Sequence, residues 1–186
     1  MAKALKKLAP LPTKIDIGCG KNKKEGFYGI DACSFEGVDL MCDLTKPWPI
    51  DDDSIEEAHC SHFLEHLERR DRVRFMNELY RVMKKDAKCT IVVPHWCSNR
   101  AYGDMSHCWP PVSEMFFYYL DKGWRKGNAP HDDFEFNPEG YRCDFLATWG
   151  YGMHTSLLTR SADYQQHALQ FWKEAALDLH ATLTKR

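Results

Sequence analysis

The sequence predicts an α/β fold with a mostly parallel sheet and helices on both faces. Short apolar segments alternate with helical ones along the first half of the chain. The clearest strand, residues 88–93, has apolar residues at consecutive positions, which is typical of a strand buried on both sides. With 44% hydrophobic residues, a chain of 186 residues buries one sizeable core. We therefore expect a single domain over residues 1–186.

The elements follow in a simple order. Strands are predicted at residues 14–17, 27–31, 38–43, 55–61 and 88–93, and later at 143–149. An amphipathic helix before the fifth strand has Val73, Met76, Leu79, Tyr80 and Met83 at helical spacing. The charge run 68–72 is predicted to be a solvated helix face. A final helix is predicted from one apolar stripe: Tyr164, Ala168, Trp172, Ala175, Ala176 and Leu179. Residues 1–13 are an N-terminal extension, and residues 94–140 are an insertion.

Charge and cysteine usage restrict the environment and the partners. A formal net charge of −2 gives no strong basic field for nucleic acid. No apolar run follows the basic first residues, so we expect no signal peptide, no membrane anchor and a cytoplasmic protein. Eight cysteines occur singly, without a C-x-x-C pair. We predict reduced thiols rather than disulfides or a zinc cluster.

A glycine turn follows the first strand, at Gly18-Cys19-Gly20. Glycines there let the backbone turn tightly and approach a ligand closely. Asp31 ends the next strand, where a carboxylate can accept both hydroxyls of a ribose. The third glycine of a dinucleotide fingerprint is absent, because Lys-Asn-Lys-Lys-Glu follows Gly20. The pattern favours an adenosyl ligand without phosphates.

Six segments between residues 14 and 94 carry a family resemblance. They are Asp16-Ile17-Gly18-Cys19-Gly20, Gly29-Ile30-Asp31, Cys42-Asp43-Leu44, residues 48–55, residues 61–67 and residues 78–84. In this order they resemble the class I S-adenosylmethionine (SAM)-dependent methyltransferases, of the type 11-like group. The resemblance implies a Rossmann-like fold and SAM as cofactor. The stretch after Gly20 is too short for the family's usual full first helix.

The resemblance also implies the cofactor-binding residues. The turn, with Asp16 and Cys19, would bind the cofactor, with Gly18 and Gly20 facing its methionine end. Asp31 would hold the ribose, and Asp43 with Leu44 would border the adenine. Ser61 and His62 would lie near the methyl group. The alternative for the turn is a structural role without a ligand.

The segment after strand five is expected to reach the cofactor, because ligands lie beyond the carboxyl ends of parallel strands. Methyl transfer is an in-line displacement and can need a base. We predict His95, Asp104 and His107 as base and orienting residues. The alternative is that Asp104 and His107 only stabilise their loop, while Trp96, Tyr102 and Trp109 pack in the core or stack on a planar substrate.

A metal motif overlaps the resemblance. His62-Phe63-Leu64-Glu65-His66 fits the H-x-x-E-H pattern of inverted zinc peptidases, for which Glu135 or Glu139 could supply a third ligand. The same residues fall in a segment that the methyltransferase resemblance already explains. We therefore predict no metal site, and expect Glu65 and His66 to cap and pair at a helix start.

The predicted function is methyl transfer to a small-molecule or glycan-like acceptor. One alternative is a nucleic-acid or protein acceptor, which would need a basic patch beside the pocket. Its candidate residues are Lys3, Lys6, Lys7, Lys21, Lys23 and Lys24. A second alternative is a non-catalytic SAM-binding protein. The sequence leaves the oligomeric state and the accepting atom open.

Overall fold

The computed structural model describes residues 12–186 and is organised around one seven-stranded sheet. Its strands are β1 (Lys14–Ile17), β2 (Tyr28–Asp31), β3 (Leu40–Met41), β4 (Ile55–Ser61), β5 (Met83–Pro94), β6 (Phe145–Met153) and β7 (Ala176–Lys185). Its helices are α1 (Arg69–Val82), α2 (Arg100–Gly103), α3 (Glu114–Tyr118), α4 (Lys122–Asn128) and α5 (Ala162–Phe171). Short 3-10 turns occur at Leu64–His66, Pro130–Asp132 and Thr155–Leu157.

The strand order is β3-β2-β1-β4-β5-β7-β6. Strands β1 to β5 are parallel, and β7 runs antiparallel between β5 and β6. This arrangement confirms the predicted α/β Rossmann-like sheet. The parallel strands share a direction, so their carboxyl ends meet at one edge of the sheet. Gly18, His62 and His95 directly follow strands at this edge, and Asp31 is the last residue of β2. That edge holds the candidate site.

The main core lies on one face of the sheet. Residues such as Ile15, Ala58, Cys89 and Leu183 are neighbours in register across four strands and are all buried. Helix α1 packs on this face through a buried apolar stripe. The stripe consists of Phe75, Met76, Leu79 and Val82.

The opposite face differs from the expected second helical layer. Asp16, His59, Thr90, Thr182 and Thr148 are neighbours in register there, and of these only Asp16 is fully buried. Right-handed crossovers direct the β1–β2 and β2–β3 connections over this face. Residues 18–27 and 32–39 form those connections as turns and loops without a helix. The shortened first helix predicted from the sequence is thus reduced to a loop.

The predicted final helix is wrong in its second half. Helix α5 ends at Phe171, and Ala176 and Leu179 belong to β7, with Ala175 just before it. In β7 the fully buried positions Leu179, Ala181 and Leu183 alternate with more exposed residues, which is the period of a strand. Pairing with β5 and β6 on both sides decides the conformation of this segment.

The cysteine side chains agree with the predicted reduced thiols. All eight cysteines are free, and Cys60, Cys89 and Cys143 are fully buried, as expected for reduced thiols. Among residues 12–186, no helix combines the length and apolar character needed to cross a membrane.

A buried ion pair holds the insertion together. Arg125 is fully buried, and its Nε donates to Asp133 Oδ2 at 3.0 Å. The other guanidinium nitrogens donate to the carbonyls of Tyr119 and Cys143 at 2.7 and 2.8 Å. One side chain therefore joins α4 to the segments on both sides of it.

We expect Asp133→Ala to lower the free energy of unfolding by about 3–5 kcal/mol, because it leaves Arg125 buried without its counter-ion. Urea unfolding followed by circular dichroism measures the loss. Glu135→Ala is the matched control, since Glu135 is exposed and pairs only with Lys122 and Lys126. Equal losses in the two variants would contradict the assignment.

Candidate functional site

The glycine turn lies directly against the segment after β4. Gly18 and Gly20 have φ angles of +67° and +52°, a region that favours glycine. Gly18 N donates to the carbonyl of Ile30 at 2.8 Å, which joins the turn to β2. A Cβ built on Gly18 would lie 2.3 Å from the Phe63 ring. The turn therefore needs a glycine at position 18 for both conformation and space.

The Asp31 carboxylate supports the turn from β2. Its Oδ2 accepts from Gly20 N at 2.8 Å, and its Oδ1 accepts from Cys33 N at 2.9 Å. Each carboxylate oxygen has a second lone pair, so the group can still accept two ligand hydroxyls. Asp31 is half-buried, and therefore open to such a ligand.

Asp16 and Cys19 face the inside of the turn. Asp16 is 2% exposed, with Oδ1 2.7 Å from His59 Nδ1 and Oδ2 accepting from Lys24 N at 2.7 Å. Burial, with the nearby Asp16 and Asp31 charges, raises the pKa of the Cys19 thiol to about 11. Both predicted residues shape the loop from within.

Asp43 and Leu44 follow β3 at the same edge. Asp43 is exposed, and its bonds from Lys46 and Thr45 lower its pKa to about 2. Leu44 is 2% exposed and part of the main core, while its carbonyl accepts from Trp48 Nε1 at 3.2 Å. The structure therefore leaves Asp43 open to solvent and encloses the Leu44 side chain.

A cavity of about 520 Å³ opens beside the residues after β4 and β5. It is lined by His62, Pro94, Arg100, Gly103, Asp104, Met105 and His107. Ser61, the last residue of β4, is half-buried and directly precedes His62 in the sequence. His62 has a φ of +54°, and its N donates to the Val92 carbonyl at 2.8 Å. The Glu65 carboxylate, whose Oε1 lies 3.3 Å from His62 Nδ1, raises the pKa of His62.

The three predicted catalytic residues separate into two groups. Asp104 and His107 both line the cavity, with Oδ2 of Asp104 3.8 Å from Nε2 of His107. His95 is fully buried, and its two nitrogens lie 2.9 Å from Glu114 Oε1 and 3.0 Å from Cys97 Sγ. His95 therefore contacts the core and α3 rather than the cavity.

Glu65 and His66 do not cap a helix as expected. They lie in the 3-10 turn before α1, whose N-cap residue is Glu68. Glu65 is 4% exposed, and its two carboxylate oxygens have no hydrogen-bond partner among residues 12–186. The two glutamates suggested as a third ligand for the metal motif are instead paired with basic residues. Glu135 pairs with Lys122 and Lys126, and the Glu139 carboxylate lies 3.7 Å from Arg70.

Arg72 is a key residue whose environment differs from the sequence-based prediction. It falls in the charge run predicted to be solvated, yet it is only 4% exposed. Its guanidinium donates to the carbonyls of Leu67, Cys108 and Pro110 at 2.9, 2.9 and 2.6 Å. The available signal was its spacing, because Arg72 precedes Phe75 by three positions on the buried stripe of α1.

A larger cavity of about 800 Å³ lies near the start of β5, away from the glycine turn. Its charges are paired within the protein: Arg81 bonds Glu78 and Asp52, and Lys185 bonds Asp53. The smaller cavity is lined by residues that follow β4 and β5, and is therefore the better candidate for a ligand site.

Comparisons with known proteins give a methyltransferase family model and similar folds. Residues 22–91 match the family model of a methyltransferase domain. A SAM-dependent methyltransferase from Archaeoglobus fulgidus is similar, with a TM-score of 0.62, 18% identity and coverage of 93% of this chain and 85% of that chain. A complex of the Haloferax volcanii Trm112 methyltransferase activator with a putative methyltransferase matches with a TM-score of 0.51, 12% identity and coverage of 92% and 81%. A search of curated proteins gave no match. At these identities the solved structures show a shared fold.

We expect Gly18→Ala to destabilise the protein more than Gly20→Ala. Both substitutions place an alanine in the left-handed region, which costs about 1–2 kcal/mol. Only position 18 adds the overlap with Phe63, since no heavy atom lies within 4 Å of a Cβ at position 20. Urea unfolding of both variants tests this, and a larger loss for Gly20→Ala would refute it.

Proposed function

We propose that this chain, whose residues 22–91 match the methyltransferase family model, is a class I SAM-dependent methyltransferase. Its acceptor would be a small-molecule or glycan-like compound held over residues 94–107. One observation carries the proposal: the glycine turn with Asp31 and the cavity beside His62 lie at the same edge of the sheet. In an open parallel sheet, ligands bind beyond that edge. A cofactor on the turn would thus have its methyl group near the cavity.

The cofactor half is assigned residue by residue. Gly18 and Gly20 would face the methionine end; the space at Gly20 is open, whereas Phe63 packs over Gly18. Asp31 would accept the ribose hydroxyls with its free lone pairs. Asp43 borders the adenine, and Leu44 contributes through its backbone because its side chain is in the core. Ser61 and His62 lie towards the methyl group. Asp16 and Cys19 maintain the shape of the turn.

The acceptor half is assigned to the cavity after β5. Its volume lies within the roughly 300–1,000 Å³ typical of small-molecule sites. With SAM bound, an acceptor lone pair would attack the methyl carbon as the carbon–sulfur bond breaks and S-adenosylhomocysteine is released. The acceptor proton would pass to His107 or to water. Asp104 and His107 orient the acceptor because they line the cavity. His95 is a positioning residue that holds β5 to α3 through Glu114.

The structure gives no specific support to a nucleic-acid or protein acceptor. Of the lysines proposed as a basic patch, Lys23 pairs with Asp39 at 2.8 Å. Lys21 and Lys24 lie over the rings of Phe35 and Phe27. Lys3, Lys6 and Lys7 lie outside the described residues.

We expect Asp31→Asn to weaken binding of S-adenosylhomocysteine by about 10-fold or more, because a hydrogen bond to a charged group contributes about 1.5–3 kcal/mol. Isothermal titration calorimetry measures the affinity. The control is Glu36→Gln, which changes the same functional group at an exposed position in the loop after β2. Unchanged affinity in Asp31→Asn, with its folding verified by circular dichroism, would contradict the ribose assignment.

Turnover separates the enzyme from a SAM-binding protein without catalysis. The wild-type protein is incubated with SAM and acceptor classes bearing hydroxyl, amine or carboxylate groups, and S-adenosylhomocysteine formation is measured. We expect turnover with at least one small-molecule class. Intact cofactor binding without turnover on any class, including nucleic acid and peptides, would favour the non-catalytic alternative.

A further inference from the structure

Glu65 is a buried carboxylate that accepts no hydrogen bond among the described residues. It is 4% exposed, and neither carboxylate oxygen accepts a hydrogen bond among residues 12–186. The closest basic group is Nδ1 of His62, which lies 3.3 Å from Oε1 without hydrogen-bond geometry. Burying an ionised carboxylate is costly unless it is paired or coordinates a metal. The environment of Glu65 therefore calls for a cation.

Two histidines converge on this carboxylate from different segments. His66 is the next residue, and His107 comes from the loop after β5. The two rings meet edge to face with centroids 4.8 Å apart. One ligand atom each from Glu65, His66 and His107 lie within 4.8 Å of one another. Nδ1 of His107 is buried and unpartnered, so it too is available as a ligand atom.

We propose that Glu65, His66 and His107 bind a divalent transition-metal ion such as Zn²⁺ or Mn²⁺. Imidazole nitrogen and carboxylate oxygen are ligands that these ions accept. Metal–ligand bonds of about 2.0–2.2 Å at tetrahedral angles place ligand atoms ~3.3–3.6 Å apart, so the three side chains must move closer together to bind an ion. This assignment replaces the sequence-based expectation of no metal. It identifies His107 as the third ligand in place of Glu135 or Glu139.

Polar groups outside the cluster orient the two rings. Ser106 Oγ lies 3.0 Å from His66 Nδ1, which leaves Nε2 as the ligand atom of that ring. Asp104 accepts from Ser106 N and Oγ at 2.8 and 2.6 Å, while its other oxygen lies 3.8 Å from His107 Nε2. Such partners fix the orientation of ligating histidines in metal sites. The loop 104–107 therefore fixes the orientation of both the His66 and the His107 ring.

The site adjoins the cavity assigned to the acceptor. His107 belongs to the proposed metal site and also lines that cavity. Three protein ligands leave at least one coordination position for water or for an acceptor oxygen. His107 would thus act on the acceptor through the metal. His62, which lines the cavity and lies near Glu65, is the nearest further side chain that could act as a metal ligand.

Metal binding is tested on the full chain after treatment with a chelator. The protein is titrated with Zn²⁺ and with Mn²⁺ by calorimetry, and the bound metal is counted by elemental analysis. We expect about one equivalent per chain, with affinity reduced more than ~10-fold in Glu65→Gln and His107→Ala. His131→Ala is the control, because this exposed histidine lies outside the cluster and should leave binding unchanged.

A second measurement does not depend on how the variants fold. Co²⁺ added to the wild-type protein should give ligand-field absorption bands of a nitrogen- and oxygen-coordinated ion, and these should disappear on addition of Zn²⁺. Absence of stoichiometric binding in the wild-type protein would overturn the proposal, as would equal binding in all variants. Because the test uses neither SAM nor acceptor, its failure leaves the proposed methyl transfer unaffected.

Discussion

The part of the site proposed for the acceptor depends on the buried guanidinium of Arg72. It lies in the first turn of α1, and it donates to carbonyls on both sides of the site: Leu67 after β4, and Cys108 and Pro110 after β5. Burial lowers the pKa of Arg72, but the group remains charged. A guanidinium carries five donors in a fixed fork, which a lysine ammonium does not offer. Arg72 therefore holds the Glu65–His66 turn beside the loop that carries His107.

The cofactor side is maintained by a different interaction, between carboxylates and backbone amides. No helix follows the glycine turn in the β1–β2 connection. Its conformation is fixed instead by Asp31, which accepts from Gly20 N, and by Asp16, which accepts from Lys24 N. The sheet face above this loop is correspondingly polar, with the Asp16–His59 pair buried beneath it. Two acids thus replace the structural contribution of a helix.

The sequence predicts the elements whose signal is local. Strands β1 and β2 are short segments that end at the glycine turn and at Asp31, and α1 follows from its helical period. The predicted C-terminal helix was wrong in its second half. Ala175, Ala176 and Leu179 continue the helical spacing of α5, but pairing with β5 and β6 makes this segment part of the sheet. The prediction that Arg72 is solvated was wrong, because it rested on the rule that a charged residue in a charge run usually faces solvent. The approach of His107 to Glu65 depends on two loops meeting, which no local pattern encodes.

Long loops beside a sheet carry carbonyls that must be hydrogen-bonded when they are buried. In this protein two buried arginines do this: Arg72 for residues 65–110, and Arg125 for the carbonyls of Tyr119 and Cys143. Each gathers carbonyls from segments that are distant in sequence, and Val112, Phe117 and Leu120 of the same region pack in the main core. The part of the site proposed for the acceptor is thus held by guanidinium–carbonyl bonds. The part proposed for the cofactor is held by the carboxylate–amide bonds of Asp31 and Asp16.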